Sequence, residues 1–170
     1  MYYVIQVAPT EEVRVIKWIQ KQVDATLFTA CFHLTRKRHM KYRGEWRDVT
    51  QKLLPCYVFV ETTQINGFRE AIKEIPLLTR VMGRAGALYS ALPPEEVAWL
   101  KELKGDSENG EVAISYVRIS EDNALTVLSG PLAGLAGQIK KVNLHKRTAA
   151  VEVELMGVKT VVHLGIEIVT

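Results

Sequence analysis

Cysteine is scarce in this chain of 170 residues: Cys31 and Cys56 are the only two. Neither has a partner at metal-ligand spacing, and both sit in apolar, strand-like surroundings. Two buried, reduced thiols are therefore expected. Long apolar runs are missing too. The longest, residues 53–60, is interrupted by Pro55 and falls short of the roughly 20 residues that a membrane helix needs. The opening Tyr2-Tyr3-Val4-Ile5-Gln6-Val7 lacks the profile and cleavage site of a signal peptide, so a cytoplasmic protein is expected. Internal repeats and low-complexity tracts are absent. So are catalytic constellations. His33, His39, His145 and His163 have no carboxylate or cysteine at ligand spacing in the sequence. Asp106-Ser107-Glu108 lies in a linker-like run, and Gly83-Arg84-Ala85-Gly86 is too short and wrongly placed to cradle a phosphate. The expectation is a non-enzyme without metal or cofactor, and a monomer.

What is present fits a globular protein of one medium domain or two small ones, with 48% hydrophobic and 24% charged residues. The net charge of +3 is unevenly spread. Residues 36–52 hold seven basic side chains against Glu45 and Asp48, while the rest of the chain is slightly acidic. A basic patch, in a protein that is otherwise not basic, has to be explained.

The pattern begins with a strand at residues 2–7. A helix follows, opened by Pro9-Thr10-Glu11-Glu12 and running to about Val23, with Val13, Ile16 and Val23 as its buried face and Ile19 and Trp18 along the margin. Residues 30–36 and 57–61 read as strands, separated by a polar excursion around Gly44 that predicts a long hairpin or mobile loop. A second helix over residues 65–75 stops at Pro76. A strand follows over residues 78–82, and Pro93-Pro94-Glu95-Glu96 opens a third helix through Leu103. This order predicts an α+β fold, an antiparallel sheet covered by helices over residues 1–103. Residues 104–120, polar and acidic with Gly105 and Gly110, read as a flexible linker. From residue 121 onward the text is all β, and five short strands in so small a unit predict a closed barrel over residues 121–170.

Within that barrel, Gly130-Pro131 signals a turn, and Gly134 and Gly137 allow a sharp bend before Ile139 and Val142 re-enter a core. Residues 149–155 then alternate, with Val151, Val153 and Leu155 on one face and Glu152 and Glu154 on the other. Gly130-Pro131, Gly137, Ile139 and Lys140-Lys141 resemble the KOW module that closes the NusG family of transcription elongation factors and also occurs in ribosomal proteins. The segment Lys52-Leu53-Leu54-Pro55-Cys56-Tyr57-Val58-Phe59-Val60 resembles the most recognisable line of the NusG amino-terminal (NGN) domain. It keeps Pro55, Tyr57, Val58 and Val60, and departs with Cys56 where glycine is usual and leucines where phenylalanine is common.

The resemblance implies an NGN-like domain over residues 1–103 that docks on the clamp helices of RNA polymerase and restrains the clamp. Leu54 and Tyr57 match the family's apolar docking positions. It also implies a five-stranded, SH3-like KOW barrel that contacts a small-subunit ribosomal protein or the termination factor Rho. The matching positions there are Leu132, Leu135, Leu155 and Met156. Leucines at 132 and 135, where housekeeping members often carry phenylalanine, leave the ribosomal contact open and weigh against Rho.

Two basic groups point to nucleic acid. Arg36, Lys37, Arg38, His39, Lys41, Tyr42, Arg43, Trp46 and Arg47 combine cations that neutralise phosphates with rings that stack on unpaired bases, suited to upstream or non-template DNA. Lys140, Lys141, His145, Lys146, Arg147, Lys159 and His163 form a second group in the barrel, suited to a nascent RNA hairpin. The function implied is a transcription elongation and antitermination factor, a specialised paralog of LoaP or RfaH type. The alternatives are a housekeeping NusG coupled to Rho or the ribosome, and a ribosome-associated RNA-binding KOW protein.

Overall fold

The computed structural model describes residues 1–84 and 87–170, so Ala85 and Gly86 of the Gly83-Arg84-Ala85-Gly86 run lie outside the described residues. The architecture is α+β, in two compact units. Unit 1 comprises residues 1–33 and 54–97, and unit 2 comprises residues 34–53 and 98–170.

Unit 1 is built on a four-stranded antiparallel sheet. Its strands are β1 (Tyr2–Val7), β2 (Ala30–Phe32), β5 (Tyr57–Glu61) and β6 (Thr79–Val81), in the order β2-β5-β1-β6. Alternation places Tyr3, Ile5 and Val7 of β1 on one face with Val58 and Val60 of β5. Helices α1 (Glu12–Gln22) and α2 (Ile65–Ile72) cover that face with Val15, Ile19, Phe68 and Ile72. The opposite face buries Val4, Phe59 and Phe32, the two rings stacked with centroids 5.7 Å apart.

The buried face of α1 matches the expected one in part: Val23 is buried and Ile16 packs against the core. The buried stripe within the helix, however, is Glu12, Val15 and Ile19, while Val13 is 46% exposed. Spacing of i, i+3 and i+7 defines one helix face, and Val13 lies off it. The structure buries a glutamate where sequence reading favoured valine. The Glu12 carboxylate accepts the Cys56 backbone N–H (3.2 Å), and the Val7 N–H donates to the Cys56 carbonyl (2.9 Å). Both bonds hold the turn before β5. Burial pushes the Cys31 thiol up to about 12, whereas Cys56 is only half-buried.

In unit 2, β3 (Thr35–Tyr42) and β4 (Glu45–Lys52) form the hairpin, paired in register from Thr35↔Lys52 to Tyr42↔Glu45. Arg43 and Gly44 make the two-residue turn with φ of 50° and 81°. Two positive φ values fit the right-handed twist of the flanking strands, and glycine occupies the second without strain. The stretch expected as linker carries β7 (Glu111–Val112), parallel to β3, and β8 (Ser115–Ile119).

The five-stranded sheet curls in the order β10-β11-β12-β8-β9, with β9 at Leu125–Ser129, β10 at Ile139–Asn143, β11 at Thr148–Leu155 and β12 at Val158–Ile168. One of its five strands, β8, thus precedes residue 121. The Gly130-Pro131 turn leads into 3-10 turns over Pro131–Gln138, tied to β8 where the Leu132 N–H donates to Ser115 Oγ (3.0 Å). The expected alternation on β11 is present, with Val151, Val153 and Leu155 buried. Helix α3 (Pro94–Lys104) crosses from one unit into the other, and within unit 2 the Trp99 indole donates to the Glu154 carbonyl (2.8 Å).

Candidate nucleic-acid interface

The hairpin and the curled sheet carry the two basic groups, and the structure places both in unit 2. Sequence reading kept them apart. Gly165 of β12 lies against the hairpin so closely that a Cβ there would run into the Lys37 carbonyl, with Arg38 Cα only 2.9 Å away. Only glycine fits this approach. Nothing in the local sequence distinguishes Gly165 from the other ten glycines; the signal is the path of β3, more than a hundred residues earlier in the chain.

Because strand side chains alternate and directly paired residues share a face, the hairpin has two chemically different sides. Arg36, Arg38, Tyr42, Arg47 and Gln51 fall on one, with Glu45 its single carboxylate at the tip. Lys37, His39, Lys41, Trp46 and Asp48 fall on the other. The second side is largely compensated. Lys37 Nζ lies 3.3 Å from Glu111, and the His39 ring meets Asp48 through Nδ1 and Glu167 through Nε2 (3.2 Å). Arg147, from the turn after β10, stacks over the Trp46 ring at 4.9 Å.

The first side is less so: its ion pair is Arg47 with Glu45 at the tip (3.6 Å), away from Arg36 and Arg38. Arg36 donates to the His163 backbone carbonyl and to Gln51 Oε1 (3.2 Å); Arg38 donates to the same Gln51 oxygen (3.4 Å) and to the Lys146 carbonyl (3.2 Å). These acceptors are neutral. The Nε atoms of both arginines are buried without an acceptor among the described residues. Beside them opens a cleft of about 290 Å³ lined by Arg36, Arg38, Lys141, Lys146 and His163 together with Asn143, Thr148 and Ala150. Burial and the neighbouring Arg38 charge hold the Arg36 guanidinium below its ordinary value. Burial, then Arg36, Lys146 and Arg38, lower the His163 imidazole from 6.5. At the hairpin tip, Arg43 and Arg47 approach the exposed Tyr42 ring at 5.3 and 5.6 Å.

The remaining candidates sit elsewhere. Lys140 and His145 are exposed outside the cleft lining, and Lys159, toward the start of β12, lies 4.0 Å from Glu152. Leu132, Leu135, Leu155 and Met156 are all buried, at 7% exposure or less, whereas Leu128, Leu144, Val158 and Val161 nearby in sequence are exposed. Leu54 is buried at 5% exposure and Tyr57 is half-buried at the start of β5. Between them Cys56 adopts φ of 71°, a left-handed conformation, at the position where the NusG family usually has glycine. Glu12, which fixes that turn, was not a sequence candidate: an acid in a first helical turn reads as a helix-dipole residue.

Comparison with known proteins matches residues 1–101 to the family model described as NusG, transcription termination factor nusG. The transcription termination/antitermination protein NusG of Halalkalibacterium halodurans is 28% identical over 170 residues, covering 96% of this chain and 93% of that protein. The protein of the same description from Thermus thermophilus is 29% identical over 126 residues, covering 71% and 68%. A chain of the MjSpt4:Spt5 crystal structure aligns over 97% of this chain and 92% of its own length at 17% identity, with a TM-score of 0.37, and at that score carries no inference. With more than half of its length matched by the family model, the chain belongs to the NusG family of transcription termination and antitermination factors.

Proposed function

We propose that this protein is a specialised elongation and antitermination factor that binds the clamp helices of RNA polymerase through unit 1 and lowers pausing and termination. The observation that carries this reading is the family match over residues 1–101, which includes the turn presenting Tyr57. Tyr57 is the accessible anchor, an aromatic side chain at a strand start of the kind that centres an interface. Leu54, being buried, contributes by fixing the base of the turn rather than by its own exposed area. Departure from the family glycine at Cys56 and the basic clustering in unit 2 favour a specialised member over the housekeeping one.

Unit 2 contributes contacts to nucleic acid through its basic hairpin and barrel turn. A ribosomal protein or another partner would meet the exposed Leu128, Leu144, Val158 and Val161 unless the sheet opens to uncover Leu132, Leu135, Leu155 and Met156.

The test is transcription in vitro with core RNA polymerase on a template with pause and terminator sites. The full-length chain is expected to shorten pauses and increase readthrough. Tyr57→Ala is expected to weaken polymerase binding about tenfold, a loss of about 1.4 kcal/mol, with the fold intact by circular dichroism. Stimulated Rho-dependent termination would instead identify a housekeeping factor. Sedimentation with ribosomes but not polymerase would identify a ribosome-associated RNA-binding protein.

A further inference from the structure

The cleft beside Arg36 and Arg38 gathers five basic side chains, and no carboxylate is among its lining residues. Nearby acids are turned to other side chains: Glu111 to Lys37, Glu167 to the His39 ring and Glu152 to Lys159. The arginines hold the hairpin against the curled sheet through neutral oxygens, so their own charge is left uncancelled. Like charges gathered around a concave, partly buried site favour an anion. On the same hairpin side, four residues beyond Arg38, lies Tyr42. Four residues at about 3.3 Å each put the ring about 13 Å along the strand from that cleft.

We propose that this side of the hairpin and the turn after β10 form one binding site for a single nucleic-acid strand, with a backbone phosphate in the cleft and an unpaired base on the Tyr42 ring. The site takes a phosphodiester backbone because Lys141, Lys146 and His163 supply donors from the sheet while Arg36 and Arg38 supply charge from the hairpin. A cleft of about 290 Å³ is at the small end of ligand sites, the scale of a phosphate and its sugar rather than a duplex. Stacking at Tyr42 adds affinity with little sequence preference, since every base has a ring face. Trp46, which the sequence ranks beside Tyr42, belongs to the other side of the hairpin, away from the cleft arginines, and takes no part. This inference rests on the proposed reading only for its ligand class, and it replaces two separate nucleic-acid contacts with one.

The experiment is fluorescence anisotropy on the full-length protein with single-stranded RNA and DNA of the same sequence, across a salt series. One strand per chain is expected. Lys141→Gln with Lys146→Gln should flatten the slope of log affinity against log salt by up to about 0.7, the share of the one phosphate held in the cleft. Tyr42→Ala should weaken binding about tenfold, and Trp46→Ala should change it less than twofold. Both lysines are exposed, so their exchange for glutamine leaves the fold intact. Tighter binding of RNA or of DNA identifies the natural source of the strand. Two independent strands per chain, an unchanged salt slope, equal losses at Tyr42 and Trp46, or no binding by the unaltered protein would each overturn the proposal. Absence of strand binding with the effect on RNA polymerase pausing retained separates failure of this inference from failure of the proposed function.

Discussion

Unit 1 and unit 2 treat charge in opposite ways. Unit 1 contains seven Lys and Arg against eight Asp and Glu, and several of its cations are paired locally: Arg14 with Glu11, Lys73 with Glu70, and Arg84 with the buried Glu96. Unit 2 contains fifteen against eleven, and its arginines at 36 and 38 reach carbonyl and amide oxygens instead of carboxylates. Exposed ion pairs contribute little to stability, so the pairing in unit 1 chiefly removes a field. Unit 2 keeps one. A surface intended for an apolar protein partner benefits from the first arrangement, and a surface intended for phosphates needs the second.

The comparison breaks most visibly at Gly165. Assigning the hairpin to the basic unit depends on the close approach of β12 to Lys37 and Arg38, and the atoms in the way are backbone. Gly165→Val should destabilise unit 2 by about 3 kcal/mol, the upper range for overpacking a site that cannot give. Denaturant unfolding followed by Trp fluorescence would measure it. A loss below about 0.5 kcal/mol would mean that the hairpin stands off the sheet and the two basic groups are independent.

Much of this was legible beforehand. β1, β5 and the β11 alternation follow from period-two patterning, and the Pro-Glu-Glu start of α3 from helix-end chemistry. The face of α1 was legible at Ile16 and Val23 but not at its start, where Glu12 rather than Val13 is buried to satisfy a backbone amide 44 residues away, an interaction that a local hydrophobic pattern does not encode. β8 was taken into the linker because its polar neighbours outweighed a short run whose pairing partner, β12, arrives fifty residues later. The cleft shows the same limit. Its arginines were found from composition, but their division from Lys37 and Lys41 depends on strand register, and their meeting with Lys141 and Lys146 depends on tertiary path.

A smaller effect sharpens the comparison on the other side. In unit 1 the turn presenting Tyr57 holds Cys56 at φ of 71°. A side chain in the left-handed region costs about 1 kcal/mol relative to glycine. Cys56→Gly should therefore raise unit 1 stability by up to about 1 kcal/mol while leaving unit 2 unchanged. Hydrogen exchange resolved by residue would detect it. No gain in unit 1 would mean that packing of the Cys56 side chain offsets the strain, and the turn is then built around cysteine rather than despite it.

The smallest expected effect is a pH dependence confined to unit 2. The His163 imidazole titrates below its ordinary value of 6.5 because burial and the Arg36, Lys146 and Arg38 charges disfavour its protonated form. Between the lowered value and 6.5 the unfolded chain binds more protons than the folded one, so stability rises with pH there and falls as the medium is acidified. Above 6.5 both states are neutral at this position and the contribution vanishes. His163 is exposed, so solvent screening keeps the effect small. A bound phosphate reverses the sign. Its negative charge favours the imidazolium, so affinity for a nucleic-acid strand should increase as the pH is lowered through 6.5, into the range where the free unit loosens. His163→Gln should abolish both trends together. Opposite responses of free and bound protein, removed by one substitution, would tie the uncancelled charge of unit 2 to its ligand; parallel responses would assign that charge to the hairpin clasp alone.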